Sequence, residues 1–286
     1  MSNDAVVTGA STGIGRAAVK VLVGHGWRVF AGVRKRADAD SLRQEFGDKV
    51  VPLLFDVTEA SAVRAAADEV RAKLGGQTLK GLVNNAGMGL GGPLMHQPVD
   101  EIRRVFEVNV FGAVTVSQAF IPLLGADKTL AGGPGRIVNI TSVGGILAPP
   151  FIGDYVMSKH ALEAFTDTLR RELLLYGIDV IAIGPGAVAT PIWDKAEQSD
   201  LSAYANTDYA ESVKKFFDFF ITRGRKEGLP PAIIGETIYT ALTAAKPKAR
   251  YAVVPKKFAN WTIPRLLPKR TLDRIIGKGL GLTRKA

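Results

Sequence analysis

The sequence predicts an α/β fold: a single domain on a doubly wound parallel sheet of about seven strands, with helices on both faces and a basic helical extension at the C-terminus. Three observations predict it. Short apolar runs alternate with helical patterns along most of the chain. Those runs are almost continuously apolar, as strands buried on both faces must be. The first of them, Ala5-Val6-Val7, opens directly into a glycine turn, Thr8-Gly9-Ala10-Ser11-Thr12-Gly13-Ile14-Gly15.

That turn leads into a helical stretch with Ala17, Ala18, Val21 and Leu22 along one face. Strand, glycine turn and helix in this order make a seat for a diphosphate. The first glycine lets the chain reverse tightly, and the others let an anion approach bare backbone at a helix N-terminus. The free N–H groups and the helix dipole both favour negative charge there. The turn is therefore read as a dinucleotide site, against the alternative of a turn that serves packing alone.

Trp27 to Val33 reads as the second strand, ending in Arg34-Lys35-Arg36. Dinucleotide folds commonly place an acid at this strand end, on the adenosine ribose. Here Val33 and Arg34 stand instead, which suits a 2′-phosphate and points to NADP(H), with NAD(H) as the second choice. A solvated basic turn is the other reading. Val50 to Val57 is the third strand, with Asp56 at its C-terminal end, either against the adenine or capping the helix of residues 59–74. Lys80 to Val83 is the fourth strand and opens into Asn84-Asn85-Ala86-Gly87.

A long helix is expected over residues 99–124, with Asn109 in its middle where a polar residue of low helix propensity has no capping role. A flexible connection, 125–135, leads to the fifth strand, Arg136 to Ile140, with Thr141-Ser142 at its end. Residues 154–176 are helical, and Val180 to Ile183 form the sixth strand before Gly184-Pro185-Gly186. Residues 191–228 carry Trp193, Tyr204, Tyr209 and the Phe216-Phe217-Asp218-Phe219-Phe220 run. A helix over 235–245 and a last strand, Tyr251 to Val254, complete the sheet. Residues 1–255 are thus the dinucleotide-binding and catalytic domain, with a substrate lid at about 191–228, and 256–286 are the extension.

Of the 286 residues, 47% are hydrophobic and 22% charged, an ordinary globular composition. No apolar run is long enough to span a bilayer, no leader precedes the first strand, and cytoplasm is the expected compartment. There is no cysteine and only three scattered histidines, which excludes thiolate chemistry and leaves no expected metal site. The charge of +10 is uneven: from Lys246 onward there are twelve basic residues and one acid, +11, leaving residues 1–245 at −1. A nucleic-acid enzyme would carry its basic stripe on the body, so none is expected as a partner. Within the tail, Thr271 to Leu282 reads as an amphipathic helix too short to stand alone in water. It is expected to cap the pocket or a subunit interface, the alternatives being that it lies on an anionic membrane or is a disordered basic tail.

Tyr155-Val156-Met157-Ser158-Lys159 places a phenol and an ammonium one helical turn apart on one face. The cation is expected to lower the phenol's pKa and make it a usable acid or base. Ser142, thirteen residues earlier at a strand end, has a hydroxyl able to polarise a carbonyl oxygen.

These pieces together resemble the short-chain dehydrogenase/reductase family, in its compact single-domain Rossmann-type branch. Thr8–Gly15, Asp56-Val57, Asn84–Gly87, Asn109, Ser142, Tyr155–Lys159 and Pro185-Gly186-Ala187-Val188-Ala189-Thr190 occur in the family's order and spacing. Thr141, where a second serine is common, and the long 125–135 connection depart from it. The resemblance implies that Tyr155 exchanges the proton with the alcohol or carbonyl, Lys159 lowers its pKa and holds the nicotinamide ribose, Ser142 positions the reacting oxygen, and Asn109 anchors a relaying water. It implies diphosphate contacts from Gly9, Ser11, Gly13, Ile14 and Gly15, further cofactor contacts from Asp56, Val57, Asn85, Ala86 and Gly87, and a carboxamide site near Pro185, Gly186, Val188 and Thr190. It also implies a homo-oligomer, dimer or tetramer, built on the helices around 99–124 and 155–176.

The stretches 88–98 and 143–154 hold no Lys or Arg, so neither clamps a carboxylate or phosphate. They offer Met88, Leu90, Leu94, Met95, Ile146, Leu147, Phe151 and Ile152. With the aromatics at 216, 217, 219 and 220, they line a pocket for a bulky apolar alcohol or ketone, steroid-, retinoid- or aromatic-carbinol-like, or else the aromatics only pack the core. Phe30-Ala31-Gly32-Val33-Arg34 is similar to hydroxysteroid- and retinol-acting members. The alternative enzyme is a 3-oxoacyl-thioester reductase; the alternative outside catalysis is a silent dinucleotide sensor.

Overall fold

A computed structural model describes residues 3–197 and 200–283. The chain runs β1 (Asp4–Thr8), α1 (Gly13–Gly24), β2 (Arg28–Val33), α2 (Arg36–Phe46), β3 (Val50–Leu54), α3 (Ala60–Leu74), β4 (Gly81–Asn84), α4 (Val99–Phe106) and α5 (Gly112–Phe120). It continues through β5 (Arg136–Ile140), α6 (Gly153–Glu172), β6 (Asp179–Pro185), α7 (Ile192–Glu197), α8 (Ala210–Glu227), α9 (Pro231–Thr243), β7 (Arg250–Val253), α10 (Ile263–Leu266) and α11 (Lys269–Leu280). The seven strands form one parallel sheet in the order β3-β2-β1-β4-β5-β6-β7.

Alternation along each strand sends side chains to opposite faces. Ala5 and Val7 join a core with Ala18, Leu22 and Ile238, while Val6, between them, joins Phe30, Leu82, Val116 and Phe120 on the other side. Both faces are therefore dry, which is why the strands read as unbroken apolar runs. The strand order reverses between β1 and β4, and ligands in such sheets collect at that switch, beyond the strands' C-terminal ends.

Three expectations need correction. The third strand stops at Leu54, so Asp56 lies in the loop beyond it. The helix expected over 99–124 is interrupted: Glu107–Phe111 form a π-turn, and a second one, Pro122–Ala126, is broken by Gly125 at φ +115°. The 125–135 connection is tied down rather than loose. Thr78 N–H donates to Ala131 O (2.9 Å), Leu79 N–H to Leu123 O (2.8 Å), and the Thr78 hydroxyl to Gly133 O (2.8 Å). Helix α2, which carries few apolar residues, is an addition to the elements read from sequence.

Candidate active site

Thr8, the last residue of β1, aligns the glycine turn with the loop after β4. Its hydroxyl accepts from the N–H groups of Asn85 and Ala86, both at 3.0 Å, and Asn85 Nδ2 returns bonds to Thr8 O (2.9 Å) and Gly9 O (3.1 Å). Gly9 sits at φ +63°, and a Cβ there would lie 2.9 Å from Ala86 Cα. A Cβ on Gly15 would collide with the Gly9 carbonyl oxygen. Helix α1 then starts behind Thr12 with no side-chain cap and no acid in its first turn. Bare backbone and uncapped N–H groups at a positive dipole end fit a diphosphate. Thr190 closes the other side, its Cγ2 being 3.3 Å from where a Cβ on Gly13 would stand. Ser11 and Ile14 line the same turn, half-buried.

Beyond β2, Arg34 is 72% exposed and faces Asp56 at 3.6 Å. Burial works against the Asp56 carboxylate. The hydrogen bonds it accepts from Thr58 N–H and Oγ1 (3.0 and 2.9 Å), with the Arg34 guanidinium, outweigh burial and hold its pKa below the usual value. Asp56 thus orders the turn before α3 and pairs with Arg34, while the cap position of α3 falls to Glu59. Val57 is buried against Gly112 in the core. Pro185 ends β6, Gly186 N–H donates to Val253 O (2.9 Å), and Val188 O accepts from the Trp193 indole (2.7 Å).

Tyr155, Lys159 and Ser142 meet where α6 crosses the end of β5. Ser142 Oγ accepts from Gly144 N–H at 3.0 Å, and Lys159 Nζ donates to Ile140 O at 2.8 Å while standing 5.7 Å from the Tyr155 ring centre. The Tyr155 phenol departs from the expected lowering. Burial pushes its phenol up, and the hydrogen bond with Ser142 only partly offsets this. Burial likewise lowers Lys159 to about 8, against the opposing pull of Glu163. A desolvated lysine several ångströms away does not compensate a desolvated phenol.

Asn109, in the π-turn, is fully buried and spends both amide hydrogens, on Met88 O (2.7 Å) and Ser158 Oγ (2.9 Å), while its Oδ1 accepts from Met88 N–H (2.8 Å). It clamps the β4 loop to α6. A Cβ on Gly87 would lie 3.2 Å from Asn109 Oδ1 and 3.6 Å from Lys159 Nζ, so glycine leaves the corner between these two side chains least crowded.

Several contributors escape a sequence reading. Arg250 on β7 donates to both Glu163 carboxylate oxygens (3.0 and 3.1 Å) and to Ser142 O (3.2 Å), with the Trp261 ring stacked on it at 4.6 Å. Asp154, fully buried beside Tyr155, accepts from Leu90 N–H with one oxygen (3.0 Å), and its Oδ1 has no protein partner. Gln97 is also buried with its amide unpaired. These residues carry no motif, and only the fold brings them to the site.

The lid aromatics divide. Phe216 and Phe217 are buried with Phe151, Ile152, Val156 and Tyr204, and Tyr155 packs on this cluster, whereas Phe219 points to solvent. Leu94, Met95 and Ile146 are exposed too. Arg225 fastens α8 to α7 through Asp194 (2.8 Å) and Glu197 (2.6 Å). Phe151 is held at φ +65°, and its carbonyl accepts from Gly92 N–H (2.8 Å). A bulky residue in that region marks a constrained wall. Among the described residues no His, Asp and Glu cluster is arranged to hold a metal.

The chain is similar to known proteins over most of its length. A family model described as short chain dehydrogenase matches residues 3–201. The chain is 41% identical to an NADPH-dependent 3-dehydrocapnine reductase of Ornithobacterium rhinotracheale, over 96% of each. It is 32% identical to mouse (Mus musculus) retinol dehydrogenase 5, over 94% of this chain and 86% of that one. Among solved structures, a variant actinorhodin polyketide ketoreductase with NADPH superposes at a TM-score of 0.75, with 29% identity, covering 91% of this chain and 98% of the other. Family match and whole-length relatives agree, and the chain belongs to the short-chain dehydrogenase/reductase family of NAD(P)-dependent oxidoreductases.

Proposed function

We propose that this protein reduces a bulky apolar ketone with NADPH, Tyr155 giving the proton to the carbonyl oxygen. The observation that carries the reading is geometric: Ser142, Tyr155 and Lys159 meet at the end of β5, with Tyr155 packed on the aromatic cluster of Phe151, Phe216 and Phe217. A phenol is protonated at neutral pH and can give its proton to a carbonyl oxygen. The bound nicotinamide supplies the hydride. The chain does the rest. Ser142 Oγ, anchored by Gly144 N–H, presents its hydroxyl to the substrate oxygen. That oxygen takes the Tyr155 proton as the hydride adds to the carbonyl carbon and the C–O π bond opens, leaving a phenolate to which solvent returns a proton. Phe216, Phe217 and Phe151 keep water from the reacting carbon.

The glycine turn would hold the diphosphate, Gly87 and Lys159 the nicotinamide ribose, and Arg34 the 2′-phosphate after turning from Asp56. The reductase relative uses NADPH by name, which supports that preference. The likeness to a polyketide ketoreductase keeps 3-oxoacyl thioesters as the second reading. We further infer a homo-oligomer, since Phe111, Met157 and Leu174 are exposed apolar residues on or beside α5 and α6, and place it in the cytoplasm.

A panel of steroid, retinoid and aryl ketones with one 3-oxoacyl thioester, assayed with NADPH and NADH, tests this. The reading expects apolar ketones to lead. It also expects NADPH to be favoured, by about ten- to a hundredfold over Arg34→Ala, the worth of a charge-assisted phosphate contact. A thioester lead, or an unchanged cofactor ratio in Arg34→Ala, contradicts it.

A further inference from the structure

We propose that the outer face of the C-terminal helices docks on an anionic lipid bilayer. The π-turn Phe258–Thr262 runs directly into α10, giving one continuous helix. Trp261 turns inward, between the guanidinium groups of Arg250 and Arg265 at 4.6 and 4.7 Å. Phe258, Ile263 and Leu266 turn outward, five residues spanning the π-turn and three the α-turn, so they fall in one stripe. Phe258 is 71% exposed and Leu266 77%, which is not how a helix finished by its own core presents large apolar groups. In α11, Leu272, Ile276 and Leu280 face the body and Leu280 packs near Phe216, while Arg274, Ile275 and Lys278 face out.

The placement of charge is the second observation. Lys257 precedes the first helix, Lys269 and Arg270 open α11, and neither helix has an acid in its first turn. Cations at helix N-termini oppose the dipole, so folding does not account for them. A phosphate-bearing surface does. Nucleic acid would satisfy the cations and leave Phe258 and Leu266 in water. A bilayer takes both, cations at the headgroups and apolar side chains below them. Asp273 is the one acid among them, and Lys256 is already paired with Glu227. The surface lies beside α8, which walls the site, and the inference does not depend on the role of Tyr155.

The test is co-sedimentation of the full chain with vesicles of phosphatidylglycerol in phosphatidylcholine, and of phosphatidylcholine alone. The proposal expects binding to the anionic vesicles only, loss at high salt, and about a tenfold weakening in Phe258→Ser/Leu266→Ser as in Lys269→Glu/Arg270→Glu. Turnover of a water-soluble ketone stays at the wild-type rate in both variants. Wild type left in the supernatant, equal binding to neutral vesicles, or undiminished binding of Phe258→Ser/Leu266→Ser overturns it. So does a change of oligomer size in those variants without vesicle binding by wild type, which would give the face to a second copy.

Discussion

Lys159 holds its proton less firmly folded than unfolded. Its folded pKa of about 8 lies below the ordinary lysine value of 10.5. The unfolded chain binds the proton more tightly, so this residue costs stability below about pH 8, and the cost fades as pH rises toward 10.5. Thermal unfolding of wild type and Lys159→Met across that window should show wild type gaining on the variant as pH rises; parallel curves would contradict the burial argument. Arg250 supports the same centre from behind. Its side chain and that of Glu163 are 21% and 14% exposed, and the fork holds Ser142 O as well. Arg250→Met should lower kcat by about ten- to a hundredfold through a misplaced Ser142, with NADPH affinity unchanged. Arg250→Lys should rescue only part, because one ammonium cannot reproduce the bidentate contact. A loss confined to KM would assign Arg250 a different task.

At the level of elements, the glycine turn shows how closely backbone is fitted. Gly15→Ala should abolish dinucleotide binding, since its Cβ collides with the Gly9 carbonyl, whereas Gly24→Ala at the open end of α1 meets nothing within 4 Å and should stabilise by about 0.5–1 kcal/mol. Dinucleotide binding by Gly15→Ala, or a lower melting temperature in Gly24→Ala, would contradict this. Local features of this kind were legible in sequence: the turn, the Tyr155–Lys159 spacing and the strands each depend on a few adjacent residues. Others were not. Helix α2 has a thin apolar face, with Ala39 and Leu42 buried. The π-turn at Glu107–Phe111 looks like ordinary helix until its hydrogen bonds are formed. Arg250 and Glu163 are 87 residues apart, and nothing in either segment announces the other. The direction of the Tyr155 shift depends on burial, and the packing of Tyr155 on the cluster around Phe151 and Val156 is not contained in its spacing to Lys159.

For the whole molecule, the exposed Leu174 and Leu175 after α6 bear on assembly. Sedimentation should find a dimer or tetramer for wild type and a smaller species for Leu174→Ser/Leu175→Ser; equal sizes would place the interface elsewhere. The central claim is that the switch-point crevice reduces a ketone with the Tyr155 proton. The most direct measurement is nicotinamide absorbance during ketone reduction by wild type and Tyr155→Phe, with NADPH binding followed separately by fluorescence. The account predicts a loss of about 10²–10⁴-fold in rate with NADPH binding intact, because one hydroxyl goes while the ring still packs. A variant that keeps more than about a tenth of the wild-type rate would contradict it.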